Sequence, residues 1–287
     1  PEKGWSTFPP SPRMGVDYVG LRNRFSILVE NYAFIPFATR IDHCHRFLAA
    51  VLDFLLDRAS EMSRLARQAD QKAAAATGVV PAKRPEICLK VEPRAFPEPL
   101  TIRGYQGETT VDSRGRRRFT PKLDQPVTSQ VPYLGNFVCL KSRPLPWAYL
   151  LPPGCDRICR QLLRHGIRVD RLEQPLSLPC RRYTSTALKV DSWVQEGHVR
   201  LTLEGDWQDV KMEAERGCFV VRLDQPLSRL AALLLEPDHD DSLLTWGFFN
   251  NWVTRQWYRD LPPLPLYRVE EPFTAVTRRV EPAEVEY

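Results

Sequence analysis

The sequence has no apolar run near the ~20 residues that cross a bilayer, so it predicts no membrane span. It also lacks a strong charge of one sign, with 40 Lys and Arg against 35 Asp and Glu and a net charge of +5. That balance argues against a nucleic-acid footprint and a membrane-binding surface. Cysteine is thin. The seven cysteines (Cys44, Cys88, Cys139, Cys155, Cys159, Cys180 and Cys218) are too scattered for a disulfide scaffold. They are expected as small buried hydrophobes. Cys155 and Cys159 share a helix face, but no second Cys or His pair with ligand spacing accompanies them. Histidine is scarcer still: His43, His45, His165, His198 and His239, none followed by Glu at the third position. His43 and His45 are two apart on a predicted helix, on roughly opposite sides, and cannot share an ion. No repeat is present, and the only biased segment is the alanine run at 73–76.

What is plentiful is proline, 26 residues against an average near 5%, which implies many loops and edge strands. With 43% hydrophobic residues over 287 positions, the chain can bury a core and has room for two domains. The first 24 residues are rich in Pro and Gly and read as an ordered loop crossing the mouth of a site. Phe25-Ser26-Ile27-Leu28-Val29 then predicts a buried strand, with Glu30 at its exit. Open α/β sheets place their chemistry in that position, beyond the carboxyl ends of the strands. The plainer reading of Glu30 is a surface residue opening a loop.

An amphipathic helix is predicted from about Asp42. Phe47, Leu48, Val51, Leu52, Leu55, Leu56, Ala59 and Met62 form its buried face. The pattern fades after Leu65, and Gly78 and Pro81 end it. From there the texture turns to short strands, at 86–91, 136–140, 147–151, 167–172, 187–194, 197–204 and 218–223. The arginines of 113–118 read as a solvated hairpin tip. Short helices are predicted from Cys155 to Arg164, closed by His165-Gly166, and from Pro226 to Glu236. A last one, capped by Asp240 or Asp241, runs through Trp246, and the tail beyond is Pro-rich and extended. Trp246, Phe248 and Phe249 read as core rather than as a sugar platform.

The stretch Thr7 to Arg24, running into Phe25–Glu30 and on to Phe37 and Arg40, resembles the carboxypeptidase A-like zinc metallocarboxypeptidases. More closely it is similar to large bacterial members with an extra C-terminal region. Leu223 to Pro237 and Asp240 to Phe249 are similar to the C-terminal end of those proteins. The resemblance implies an α/β remnant over residues 1–72, the last strand and long helix of a doubly wound mixed sheet. A linker at 73–85 and a β-rich region with short helices at 86–287 follow. It implies hydrolysis of peptide bonds, zinc as cofactor and a peptide as partner. It also leans toward a periplasmic or secreted location. The zinc ligands of that family, an H-x-x-E pair and a later His, are expected upstream of Pro1, so the chain reads as the C-terminal portion of a longer enzyme.

Glu30 is then the general base, which takes a proton from water and later delivers it to the leaving amine. Arg13, in its Pro-flanked loop, is a candidate for holding a substrate carboxylate, against a structural pairing with Asp17 or a backbone carbonyl. Tyr18 or Tyr32 is the candidate substrate hydrogen-bond donor that the resemblance asks for. Arg22, Asn23 and Arg24 read as packing and salt-bridge residues. Two other readings stay open: a non-enzymatic β-rich binding module, and a pseudo-peptidase that has lost its zinc site.

Overall fold

The computed structural model describes residues 4–253 and 261–285. Part of the expected extended tail, 254–260 and 286–287, lies outside the described residues. The chain opens with β1 (Trp5–Ser6), α1 (Gly15–Leu21), α2 (Phe37–Ala75) and β2 (Glu86–Arg94). Next come β3 (Leu100–Val111), β4 (Arg117–Val131), β5 (Tyr133–Leu134), β6 (Asn136–Pro144), β7 (Ala148–Leu151) and α3 (Asp156–Arg164). Then follow β8 (Asp170–Leu172), β9 (Leu176–Gln195), β10 (His198–Ala214), β11 (Phe219–Arg222), α4 (Ser228–Leu235), β12 (Tyr267–Val269) and β13 (Thr277–Arg279).

Two compact units do not follow chain order. One comprises Pro1–Pro9 and Lys90–Lys141, the other Pro10–Leu89 and Ser142–Tyr287. In the first unit β3 and β4 form an antiparallel hairpin, with an irregularity between Tyr105 and Gly107, and β1 lies parallel to β5. The basic turn sits at the hairpin tip as expected. There Asp112 accepts the amides of Arg114 and Arg116 at 2.9 Å each, and Gly115 takes φ +75°.

In the second unit seven strands form one sheet, in the order β10-β9-β12-β7-β11-β8-β13. Every pairing in it is antiparallel. Strand alternation explains why the central strands are so apolar. Tyr149, Leu151, Phe219 and Val221 face one buried cluster, while Ala148, Leu150 and Val220 face another. Helices α3 and α4 cover the first face with Ile158, Cys159, Leu162, Leu230, Leu233 and Leu234. Gly166, at φ +77°, ends α3 as its position predicts. The predicted strands 187–194 and 197–204 are the distal parts of the longer β9 and β10. They are joined by Glu196-Gly197 with φ +50° and +77°, a pair of positive φ values suited to a tight hairpin.

Several local expectations need correction. The opening loop contains α1. The short helix from Asp240 or Asp241 is instead a run of turns, and the Asp241 side chain is engaged elsewhere. Cys155, Cys159, Cys180 and Cys218 are buried and free as expected, but Cys88 and Cys139 are disulfide-bonded. Burial pushes the Cys155 thiol up to about 12, so it is not a reactive group.

The largest departure concerns residues 25–75. Helix α2 is longer than its apolar pattern suggests, because the alanines after Leu65 propagate it with the best intrinsic propensity. No residue of α2 is buried. Residues 25–30 are exposed and adopt neither helix nor strand. Ile27 is 63% exposed, Leu28 64% and Leu52 60%. Phe25, Ser26 and Ile27 instead line a groove of about 520 Å³ along α2, with Phe47, Val51 and Phe54 opposite. An apolar surface of this extent marks an interaction face.

Candidate functional site

Glu30 stands at the end of that apolar segment, exposed, and among the described residues its carboxylate makes no hydrogen bond or ion pair. Tyr32 is 68% exposed, with its ring edge against Phe34. These two candidates present free polar groups.

Arg13 and Tyr18 do not. Arg13 Nε pairs with Asp241 Oδ1 at 3.1 Å, and the guanidinium lies 5.3 Å from the Trp246 ring centre. Asp17, the structural partner considered for Arg13, instead accepts the Ser11 amide at 3.0 Å. Asp241 also accepts hydrogen bonds from Ser11 Oγ and from Trp246 Nε1, the latter at 3.1 Å. The Tyr18 hydroxyl is 2.9 Å from His165 Nδ1 and accepts from Arg22 Nη1 at 3.2 Å. Arg22 Nη1 also donates to the His165 carbonyl at 2.6 Å. His165 is thus a half-buried junction between α1 and the end of α3, more than a cap. No hydrogen bond, ion pair or ring contact links any of Arg13, Tyr18, Glu30 and Tyr32 to another among the described residues.

The second unit does assemble a polar cluster that sequence reading missed. Glu236, fully buried, accepts from the Tyr149 hydroxyl at 2.6 Å and from Trp207 Nε1 at 3.2 Å. Arg268 Nη1 reaches the same carboxylate at 2.6 Å, and its Nε pairs with Glu270 at 2.7 Å. Beside it Arg143 pairs with Asp238 at 2.7 Å, and the Tyr183 hydroxyl donates to Asp238 at 3.0 Å. Burial, and then the Glu236 carboxylate, hold the Tyr149 phenol well above its usual range. Each carboxylate here is matched by donors, so the cluster serves as internal scaffolding.

His239 is buried, and its Nδ1 accepts the Asp241 amide at 3.3 Å. Burial lowers its pKa, against the opposing pull of Asp241 and Asp240. Burial and then Arg22 lower that of His165. Both depressions give the unfolded chain the higher proton affinity. Stability is therefore full above the ordinary histidine value of about 6.5 and falls as pH drops below it. Urea midpoints measured from pH 7.5 down to pH ~5 should show this decline, and His239→Gln should make it shallower. An unchanged slope would remove His239 from the account.

Among the described residues no three or more His, Cys, Asp or Glu side chains are grouped to hold a metal ion. The described residues of this chain do not by themselves fit a zinc site.

Parts of the chain are similar to fungal proteins. It is 27% identical over 148 residues to Carboxypeptidase 2 of Trichophyton tonsurans, covering 52% of this chain and 26% of that protein. It is 29% identical over 125 residues to Carboxypeptidase 2 of Trichophyton rubrum, covering 44% of this chain and 23% of that protein. The chain spans about a quarter of the length of the curated relatives it matches. No family model and no solved structure matches it. These similarities support, at most, a distant and partial carboxypeptidase-like relationship.

Proposed function

We propose that the chain is the C-terminal part of a zinc-dependent carboxypeptidase that hydrolyses peptide bonds, with Glu30 as its general base. The observation that carries this reading is the partial similarity to Carboxypeptidase 2. The uncovered apolar face of residues 25–65 supports it independently. A run such as Phe25 to Val29 suits a strand covered on both faces, and α2 suits the helix that packs beneath it. On this proposal residues 1–72 complete a doubly wound α/β domain supplied by the rest of the polypeptide, with 73–85 as linker and 86–287 as the β-rich C-terminal region. The peptide substrate approaches Glu30 from that absent side. Tyr32 keeps a free hydroxyl for it, whereas Arg13 could take a substrate carboxylate only in exchange for Asp241.

The test compares two purified proteins, the parent enzyme and this chain alone. The parent is expected to hold one zinc per molecule after dialysis and to release C-terminal residues from peptides, with loss of activity on chelation. The chain alone is expected to hold no stoichiometric zinc and to release nothing. Zinc in the isolated chain by elemental analysis, or a parent inert toward peptides, contradicts the reading.

A further inference from the structure

Within this chain residues 25–30 belong to no helix or strand and are fixed at their two ends. In the completed sheet proposed for the parent, Glu30 follows the strand's last residue, and the tie after it sets the backbone there. Both ends are tied to α2. At the first, Asn23 adopts φ +58° and its Nδ2 donates to Asp70 Oδ1 at 3.0 Å and to the Pro226 carbonyl at 2.9 Å. Arg24 grips the same carboxylate with two parallel hydrogen bonds of 3.0 Å, the geometry that best fixes orientation. At the other end, Asn31 Nδ2 donates to the Arg40 carbonyl at 3.2 Å and to Cys44 Sγ at 2.8 Å. Phe25, Ser26 and Ile27 lie along the helix between the two ties. The segment therefore runs antiparallel to α2, from Asp70 toward Arg40.

Asn31 is the residue immediately after Glu30. It is half-buried, while Glu30 is exposed and has no hydrogen-bond or ion-pair partner among the described residues. We infer that Asn31 is a positioning residue: its two hydrogen bonds to α2 set the backbone from which the Glu30 carboxylate is aimed. This rests on the proposal that Glu30 is the general base. Misplacement of a reacting group by about 1 Å can cost about 10²-fold in rate, and here the adjacent anchor limits such drift. The Arg24–Asp70 tie lies six residues from Glu30 and leaves more slack.

The test uses the parent enzyme with Asn31→Leu, Asn31→Asp and Asn31→Gln, alongside Glu30→Gln. Asp keeps the size and Leu the branched shape, and both lose the amide donor; Gln keeps the donor on a longer arm. Asn31→Leu and Asn31→Asp are expected to lower kcat about 10- to 10²-fold. KM, zinc content and thermal midpoint should stay near those of the parent, and Asn31→Gln should recover most of the loss. If the Leu variant fails to fold, the Asp variant decides. A kcat within about twofold of the parent for a folded Leu or Asp variant, while Glu30→Gln is inactive, overturns the inference and leaves the general base standing. A loss that lies in KM, or that Asn31→Gln does not relieve, also overturns it. Activity retained by Glu30→Gln defeats the underlying reading instead.

Discussion

Glu30→Gln in the parent enzyme is expected to lower kcat on the order of 10²–10⁴-fold, the usual loss when a required acid–base group is removed. Gln preserves the shape of the side chain and one acceptor oxygen, but it cannot take a proton from the attacking water or return it to the leaving amine. Substrate affinity and zinc content should change little, because the carboxylate acts in the transition state rather than in the bound ground state. Glu30 has no partner among the described residues, so its replacement orphans none of them. A loss of activity with an unchanged thermal midpoint would therefore report chemistry and not folding. If Glu30→Gln keeps more than about a tenth of the parent kcat, Glu30 is not the general base and the assigned role is wrong.

Arg268→Met should destabilise the second unit by about 3–5 kcal/mol, the range for breaking a buried ion pair from one side. Both partners are almost wholly buried. Removing the guanidinium leaves Glu236 with the Tyr149 hydroxyl and Trp207 Nε1 as close donors and Arg143 Nε farther off at 3.7 Å. It also removes a donor from the Pro144 carbonyl and one of the cations from Glu270, which keeps Arg84 Nη1 at 3.9 Å. Replacing both ends, with Glu236→Leu added to Arg268→Met, should recover part of the loss, since an apolar pair leaves no buried charge. Urea unfolding of the single and double variants measures both effects. A cost below about 1 kcal/mol for Arg268→Met would mean that the pair behaves like an exposed one.

These two sites differ in how far the sequence discloses them. Glu30 drew attention because an apolar run, a carboxylate and a resemblance coincide within about ten residues of chain. The Glu236 cluster was not, because Tyr149 lies 87 residues from Glu236 and Arg268 lies 32 away. No local window contains its logic. Arg13 was singled out for a substrate carboxylate, with Asp17 as its structural alternative; the partner it has, Asp241, comes from a turn that reads locally as a helix cap. The apolar spacing of α2 was plain, but its ends were not, since alanine extends a helix without adding to an apolar face. The burial expected for Phe25 to Val29 and for Phe47 to Met62 is a property of the pattern that this chain alone does not satisfy.

That unmet burial is where the account is most directly tested, by backbone hydrogen–deuterium exchange of residues 25–30 in the isolated chain and in the parent enzyme. Outside any ladder in this chain, these amides should exchange rapidly when it is alone. In the parent, where they would pair within a completed sheet, they should be among the protected amides, approaching the global stability of the domain. Equal and rapid exchange in both proteins would contradict the completed α/β domain, and with it the place assigned to Glu30.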